Sequence, residues 1–122
     1  MATLLPDAVG SGFFEYLLSL DTSELSIDGI RDGTIVMGKT PLLTISGPIA
    51  VVQLLETPIL NCINFATLVC TNASRMVAQA GPHVKCVEFG LRRAQGPDGA
   101  NSATKYASLG GFIGTSNVYQ GM

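Results

Sequence analysis

Charge is scarce in this sequence. Seven basic and nine acidic residues in 122 make 13% of the chain, about half the roughly 25% of an ordinary soluble domain. Apolar residues make 47%, and mean hydropathy is +0.38. A small domain has the highest surface-to-volume ratio and needs the most polar covering, so the deficit implies a surface that other protein normally covers. A net charge of −2 offers no broad attraction to polyanions. It speaks against nucleic acid or an anionic bilayer as a partner.

Other shortages narrow the chemistry. Histidine occurs once, at His83 beside Gly81-Pro82, with no acidic or cysteine residue at a ligand spacing, so it reads as structural and no metal site is expected. The three cysteines, Cys62, Cys70 and Cys86, are odd in number and lack a Cys-x-x-Cys pair. They fit reduced thiols and read as small buried apolar groups. No basic residue precedes an apolar stretch near the start, so no secretory or transit signal is expected, and the compartment is expected to be cytoplasmic. No Ser-His-Asp set, Walker loop or dinucleotide fingerprint is present. The uncharged run from Thr57 to Ser74 approaches a membrane span in length, but Pro58, Asn61, Asn64 and Asn72 interrupt it; a buried soluble helix is expected, with no membrane. Asn72-Ala73-Ser74 matches a glycosylation acceptor inside that helix and reads as coincidence.

The length suits one small domain at most. Residues 11–20, SGFFEYLLSL, space Phe13, Phe14, Leu17 and Leu18 as one face of a short helix, with Ser11 as the cap. LSID, TIVM and LLTIS, between Leu25 and Ser46, read as strands separated by turns at Asp28-Gly29, Asp32-Gly33 and Gly38-Lys39-Thr40-Pro41. Gly47-Pro48 opens a helix with Pro48 in its first position. Thr57-Pro58 repeats the device, predicting a second helix that runs to about Ala80 and stops at Gly81-Pro82. Apolar positions nearly encircle that second helix, which predicts burial on most sides. VKCVEF, residues 84–89, has strand composition. GLRRAQGPDGA follows as a glycine-bearing loop, and Asp98 or Asn101 could cap a helix through Leu109 whose face of Ala103, Tyr106, Ala107 and Gly110 suits close packing. Phe112-Ile113 then reads as a strand ending in a polar loop. Strand, loop, helix and strand in series predict a βαβ unit.

The chemistry falls at the two strand ends. Arg92 and Arg93 follow one of them, where ligands of parallel α/β sheets bind and where a guanidinium offers paired donors to phosphate or carboxylate. Gly114-Thr115-Ser116-Asn117 follows the other, with backbone amides and hydroxyls suited to an anion. Solvated surface arginines and an ordinary turn fit the same residues taken singly. Glu88 either orients an arginine or closes the strand with a surface charge.

The run Glu88-Phe89-Gly90-Leu91-Arg92-Arg93-Ala94-Gln95-Gly96-Pro97-Asp98-Gly99 resembles the nicotinate phosphoribosyltransferase family, its animal members above all. Residues 41–75, PLLTISGPIAVVQLLETPILNCINFATLVCTNASR, and 109–118, LGGFIGTSNV, are similar to the family's flanking segments. The resemblance covers nearly everything from Phe13 to Val118. It implies an α/β fold: a fragment of a type II phosphoribosyltransferase α/β barrel with part of the accompanying smaller α/β domain. On that basis residues 1–12 are an unmatched N-terminal segment, 13–47 part of the smaller domain, and 48–122 the helices and first βα units of an incomplete barrel domain.

The resemblance further implies a transferase, with ligase character through ATP coupling, that joins nicotinate to phosphoribosyl pyrophosphate, giving nicotinate mononucleotide for NAD salvage. It implies Mg²⁺ and ATP as cofactors, and a homodimer whose active sites use both subunits. By the match, Arg92 is the arginine that meets the phosphate and the pyridine substrate, with Arg93 beside it and Phe89 in the same pocket. Gly114, Thr115 and Ser116 form the second substrate loop. Ser116 favours nicotinate, because related nicotinamide enzymes look to carry an aspartate there, which would repel a carboxylate substrate. The family's phosphorylatable histidine lies beyond Met122 and is not His83; its substrate-stacking aromatic lies ahead of the matched segment. The expectation is therefore a partial gene product that holds part of an active site and is inactive alone. A short product that associates with full-length subunits, and a nicotinamide-using relative, are the rival readings.

Overall fold

The computed structural model of this chain describes residues 10–122. Its elements are α1 (Ser11–Ser19), β1 (Ser26–Gly29), β2 (Leu43–Ser46), α2 (Ile49–Ala80), β3 (Val87–Glu88), a 3₁₀ turn (Leu91–Arg93), α3 (Gly96–Leu109) and β4 (Gly114–Thr115). This is a mixed helix and strand chain that divides into two compact units: residues up to Ile30 with Met37–Glu56, and Arg31–Val36 with Thr57–Met122.

In the first unit, β1 pairs with β2 antiparallel, Ser26 opposite Ser46 and Gly29 opposite Leu43. The amide of Ile30 extends the ladder by donating to Leu42 O at 3.0 Å. TIVM, expected as a strand, forms none; Ile35 is 90% exposed. A third strand needs a face to bury, and the side chain of Ile35 finds none among the described residues. Asp28-Gly29 lies within β1 rather than in a turn. The turns at Asp32-Gly33 and Gly38-Lys39 do form, closed by Thr34 N to Arg31 O and by Thr40 N to Met37 O, both at 3.2 Å. Gly10 rather than Ser11 stands at the N-cap of α1.

Two expected helices are one. α2 runs unbroken for 32 residues with Pro58 inside it. Proline removes one N–H, the donor to Leu54 O, and its ring crowds that same carbonyl, a local cost that does not end the helix here. Pro48 stands one position ahead of the helix, and its carbonyl accepts from Val51 N and Val52 N. The end is as expected: Gly81, at φ 83°, donates to Val77 O at 3.2 Å. The burial is not. α2 is long and apolar enough to cross a membrane by length and composition, and only 6% of its most apolar window is buried. Ile49 is 84% exposed and Leu68 55%, with no other element among the described residues covering those side chains. Cys62 is likewise exposed and Cys70 and Cys86 half-buried, all three free, which corrects their reading as buried groups.

The second unit contains the βαβ motif. β3 and β4 pair in parallel, Val87 with Gly114 and Glu88 with Thr115, and α3 is the crossover. α3 begins earlier than expected, at Gly96, with Gln95 at the N-cap and Pro97 in its first turn; proline there forgoes an N–H that had no intrahelical partner. Its buried stripe is Ala100, Thr104 and Ala107, spaced four and three as one helix face requires. Beyond it Gly110 meets α2 so closely that a Cβ would stand 2.5 Å from Ala73 Cβ and 2.7 Å from Cys70 O. Phe65 and Tyr106 pack edge to face at 6.2 Å. The buried apolar core of the described residues is small: Val51, Ala73, Ala100 and Ala107.

Candidate functional site

Two residues of parallel pairing place the carboxyl ends of β3 and β4 side by side. From β3 the chain passes through Phe89 and Gly90 into the 3₁₀ turn that carries Arg92 and Arg93, closed by Arg93 N donating to Gly90 O at 2.8 Å. From β4 it passes into Ser116 and Asn117. Ser116 N donates to Glu88 O at 2.9 Å, which draws the second loop back onto the first strand. Of the six residues expected at the site, Phe89, Arg92 and Arg93 follow β3, Gly114 and Thr115 form β4 itself, and Ser116 follows it.

Their exposure differs. Arg92, Arg93 and Ser116 are exposed, Phe89 is 66% exposed, and Gly114 and Thr115 are half-buried. Arg93 lines a cleft of about 260 Å³ with Phe65 and Val69 of α2, Glu88 and Gly90 after β3, and Ala100 and Ala103 of α3. Gly114 and Thr115 line a separate recess of about 580 Å³ with Lys105 and Ser108 of α3 and Gln120. Arg92 and Phe89 border neither.

Glu88 sits between the two loops, and its side-chain hydrogen bonds run to Gly90, Thr104 and Thr115. One carboxylate oxygen, Oε2, accepts from Thr115 Oγ1 at 2.8 Å and Thr104 Oγ1 at 2.9 Å; the other, Oε1, accepts from Gly90 N. Burial by itself raises this carboxyl's pKa. The bonds from Thr115, Gly90 and Thr104 outweigh it and hold the group below the ordinary glutamate value. The Thr115 hydroxyl also accepts from Asn117 N at 2.9 Å, and Asn117 Nδ2 donates to Asn101 Oδ1 at 2.9 Å. Thr104 and Asn117 are buried at 5% and 3% exposure. Sequence reasoning missed this network because its pairs lie 16 and 27 residues apart. The one available signal was Thr104 falling on the same helix face as Ala100 and Ala107.

Among the described residues no three histidine, cysteine or acidic side chains converge on a metal position, and the Glu88 carboxylate is already engaged. These residues do not fit as holders of a hard cation.

A family profile described as the nicotinate phosphoribosyltransferase N-terminal domain matches residues 4–64, half of the chain. The chain belongs to the nicotinate phosphoribosyltransferase family. The matched range begins within the segment set apart above as unmatched. The chain is similar to the nicotinate phosphoribosyltransferase of Caenorhabditis elegans, 50% identical over 97% of this chain and 21% of the relative. It is 58% identical to nicotinate phosphoribosyltransferase 1 of Arabidopsis thaliana over 89% of this chain and 20% of the relative. The crystal structure of human nicotinic acid phosphoribosyltransferase superposes with a TM-score of 0.87 at 48% identity, covering 98% of this chain and 24% of that one. The chain therefore spans about a fifth of the length of the curated nicotinate phosphoribosyltransferases it matches.

Proposed function

We propose that this chain supplies one wall of the substrate site of a nicotinate phosphoribosyltransferase, which joins nicotinate to phosphoribosyl pyrophosphate and releases pyrophosphate and nicotinate mononucleotide for NAD salvage. The supporting observation is the parallel β3–β4 pair, which sets the strand leading to the Arg92-Arg93 turn beside Gly114 and Thr115 in a chain of this family. Breaking the bond from ribose C1 to pyrophosphate leaves positive character on the sugar and negative charge on the leaving group. A fixed guanidinium stabilises the developing anion more than the ground state. Arg92 is assigned the phosphate and the pyridine carboxylate, Arg93 the cleft beside them, and Phe89 an apolar wall. Gly114, Thr115 and Ser116 are assigned the second substrate loop.

In this proposal the complete enzyme is a cytoplasmic homodimer with an α/β barrel and a smaller α/β domain, residues 13–47 belonging to the latter and 48–122 to the former. It requires Mg²⁺ and ATP, for which the residues described here are not the holders. The uncovered sides of α2 pack within that larger protein rather than in lipid; Pro58, Asn61, Asn64 and Arg75 along the helix suit protein contacts better than hydrocarbon.

The test is turnover by a full-length protein carrying this stretch, supplied with phosphoribosyl pyrophosphate and either nicotinate or nicotinamide. Preference for nicotinate is expected, with Ser116→Asp raising KM for nicotinate about tenfold through repulsion of its carboxylate. Absence of turnover, preference for nicotinamide, or a stop codon after Met122 in every full-length transcript contradicts the reading.

A further inference from the structure

We propose that Glu88 is a positioning residue for this reaction: its carboxylate fixes the arginine turn after β3 and the loop after β4 in one mutual geometry without itself touching substrate. The inference rests on the functional reading above and names a residue that reading leaves without a role.

The connections run both ways from one side chain. Toward the arginines, Oε1 accepts from Gly90 N, and the carbonyl of the same Gly90 accepts from Arg93 N at 2.8 Å, closing the turn that carries Arg92 and Arg93. Toward the second loop, Oε2 accepts from the Thr115 hydroxyl, which in turn accepts from Asn117 N. A hydroxyl that donates on one side and accepts on the other is polarised by both bonds, so the relay is stiffer than either bond alone. Thr104 holds the carboxylate against α3. Gly90 N and the Thr115 hydroxyl reach the carboxylate from the two loops, while the Thr104 proton is shared with Ala100 O at 3.1 Å. Removing the carboxylate loosens both loops, with the backbone bond from Ser116 N to Glu88 O left in place.

Gly90 adds a separate observation. Its backbone, at φ −89° and ψ −1°, is open to any residue. A Cβ there would stand 2.8 Å from Glu88 Oε1. The missing side chain therefore makes room for the carboxylate rather than for a turn. Gly90→Ala displaces the carboxylate while leaving Glu88 in place, so it tests the geometry without deleting the charge.

The experiment compares steady-state kinetics of the full-length enzyme carrying Glu88→Ala, Glu88→Gln, Gly90→Ala or Thr104→Val, with amide exchange of residues 90–93 and 115–117 measured beside the kinetics. Glu88→Ala is expected to raise KM for both substrates about tenfold and to lower kcat/KM about a hundredfold, the scale of a misplacement of about 1 Å at a site. Glu88→Gln restores most of it, since its carbonyl still accepts from Gly90 N and its amide can donate to a hydroxyl. Gly90→Ala gives an intermediate rise in KM. Thr104→Val removes only the donor on α3 and is expected to lower the melting temperature with KM within about twofold of wild type. Both loops exchange faster in Glu88→Ala and Gly90→Ala.

Unchanged KM in Glu88→Ala or Gly90→Ala overturns the proposal, as does a Thr104→Val enzyme with the same rise in KM, which would reduce Glu88 to a stability role. If Glu88→Ala fails to fold, Gly90→Ala decides. Wild-type protein without activity on nicotinate defeats the functional reading alone, because the exchange of the two loops still reports whether Glu88 holds them.

Discussion

In the unit of residues 10–30 and 37–56, the hairpin leaves all four residues of β1 exposed and buries little besides Val51. In the unit of residues 31–36 and 57–122, two residues of parallel strand are held by a half-buried carboxylate with three donors, a buried helical stripe and a close helix contact at Gly110. Both draw on the same charge-poor sequence. In the first, many apolar side chains among the described residues stay exposed. In the second, small residues and a polar network satisfy one another locally. The difference teaches that local order here follows close approach and hydrogen-bond satisfaction, not hydrophobicity.

The largest expected effect breaks the second region alone. Gly110→Val puts atoms where Ala73 Cβ and Cys70 O already stand, and should cost about 3 kcal/mol or more, beyond the usual overpacking range because backbone must move. A lowered unfolding midpoint, with exchange along β1–β2 unchanged, is the expected result; an unshifted midpoint would deny the close contact.

A smaller effect sharpens the comparison through pH. Glu88 is held below its ordinary value in the folded protein, so its stabilisation is present above the unfolded value of about 4.3 and is lost as pH falls through the folded one. Between pH 6 and pH 3 the wild type should therefore lose more stability than Glu88→Gln in matched denaturant titrations. Parallel losses would mean that the network carries no charge dependence. The smallest effect belongs to the first stretch of exposed loop: Ile35→Ser, at a side chain 90% exposed, should change stability by less than about 0.5 kcal/mol, and a larger loss in melting experiments would reveal a partner for that segment.

The sequence made some of this legible. Gly81-Pro82 marks the end of α2, Asp32-Gly33 a turn, and Ala107 with Gly110 a close-packed face, because each acts through local backbone or side-chain volume. The alternation of strand and helix was enough to give the parallel pair. What stayed hidden depends on partners distant in sequence. TIVM has strand composition but leaves Ile35 with nothing among the described residues to bury it. Thr57-Pro58 reads as a helix start, yet α2 continues through it for 32 residues. Glu88 reads either as the partner of an arginine or as a surface charge, and its bond from Thr115, 27 residues on, forms only where β3 and β4 pair.

The site residues themselves are tested most directly by one comparison: kcat/KM for nicotinate, in the presence of phosphoribosyl pyrophosphate, of a full-length enzyme with and without Arg92→Ala. Loss of a charge-assisted donor aimed at the transition state is expected to lower it about 10²- to 10³-fold, about 3 to 4 kcal/mol, with the melting temperature unchanged because Arg92 is exposed. Unchanged kinetics would remove the mouth of the β3–β4 pair from the chemistry.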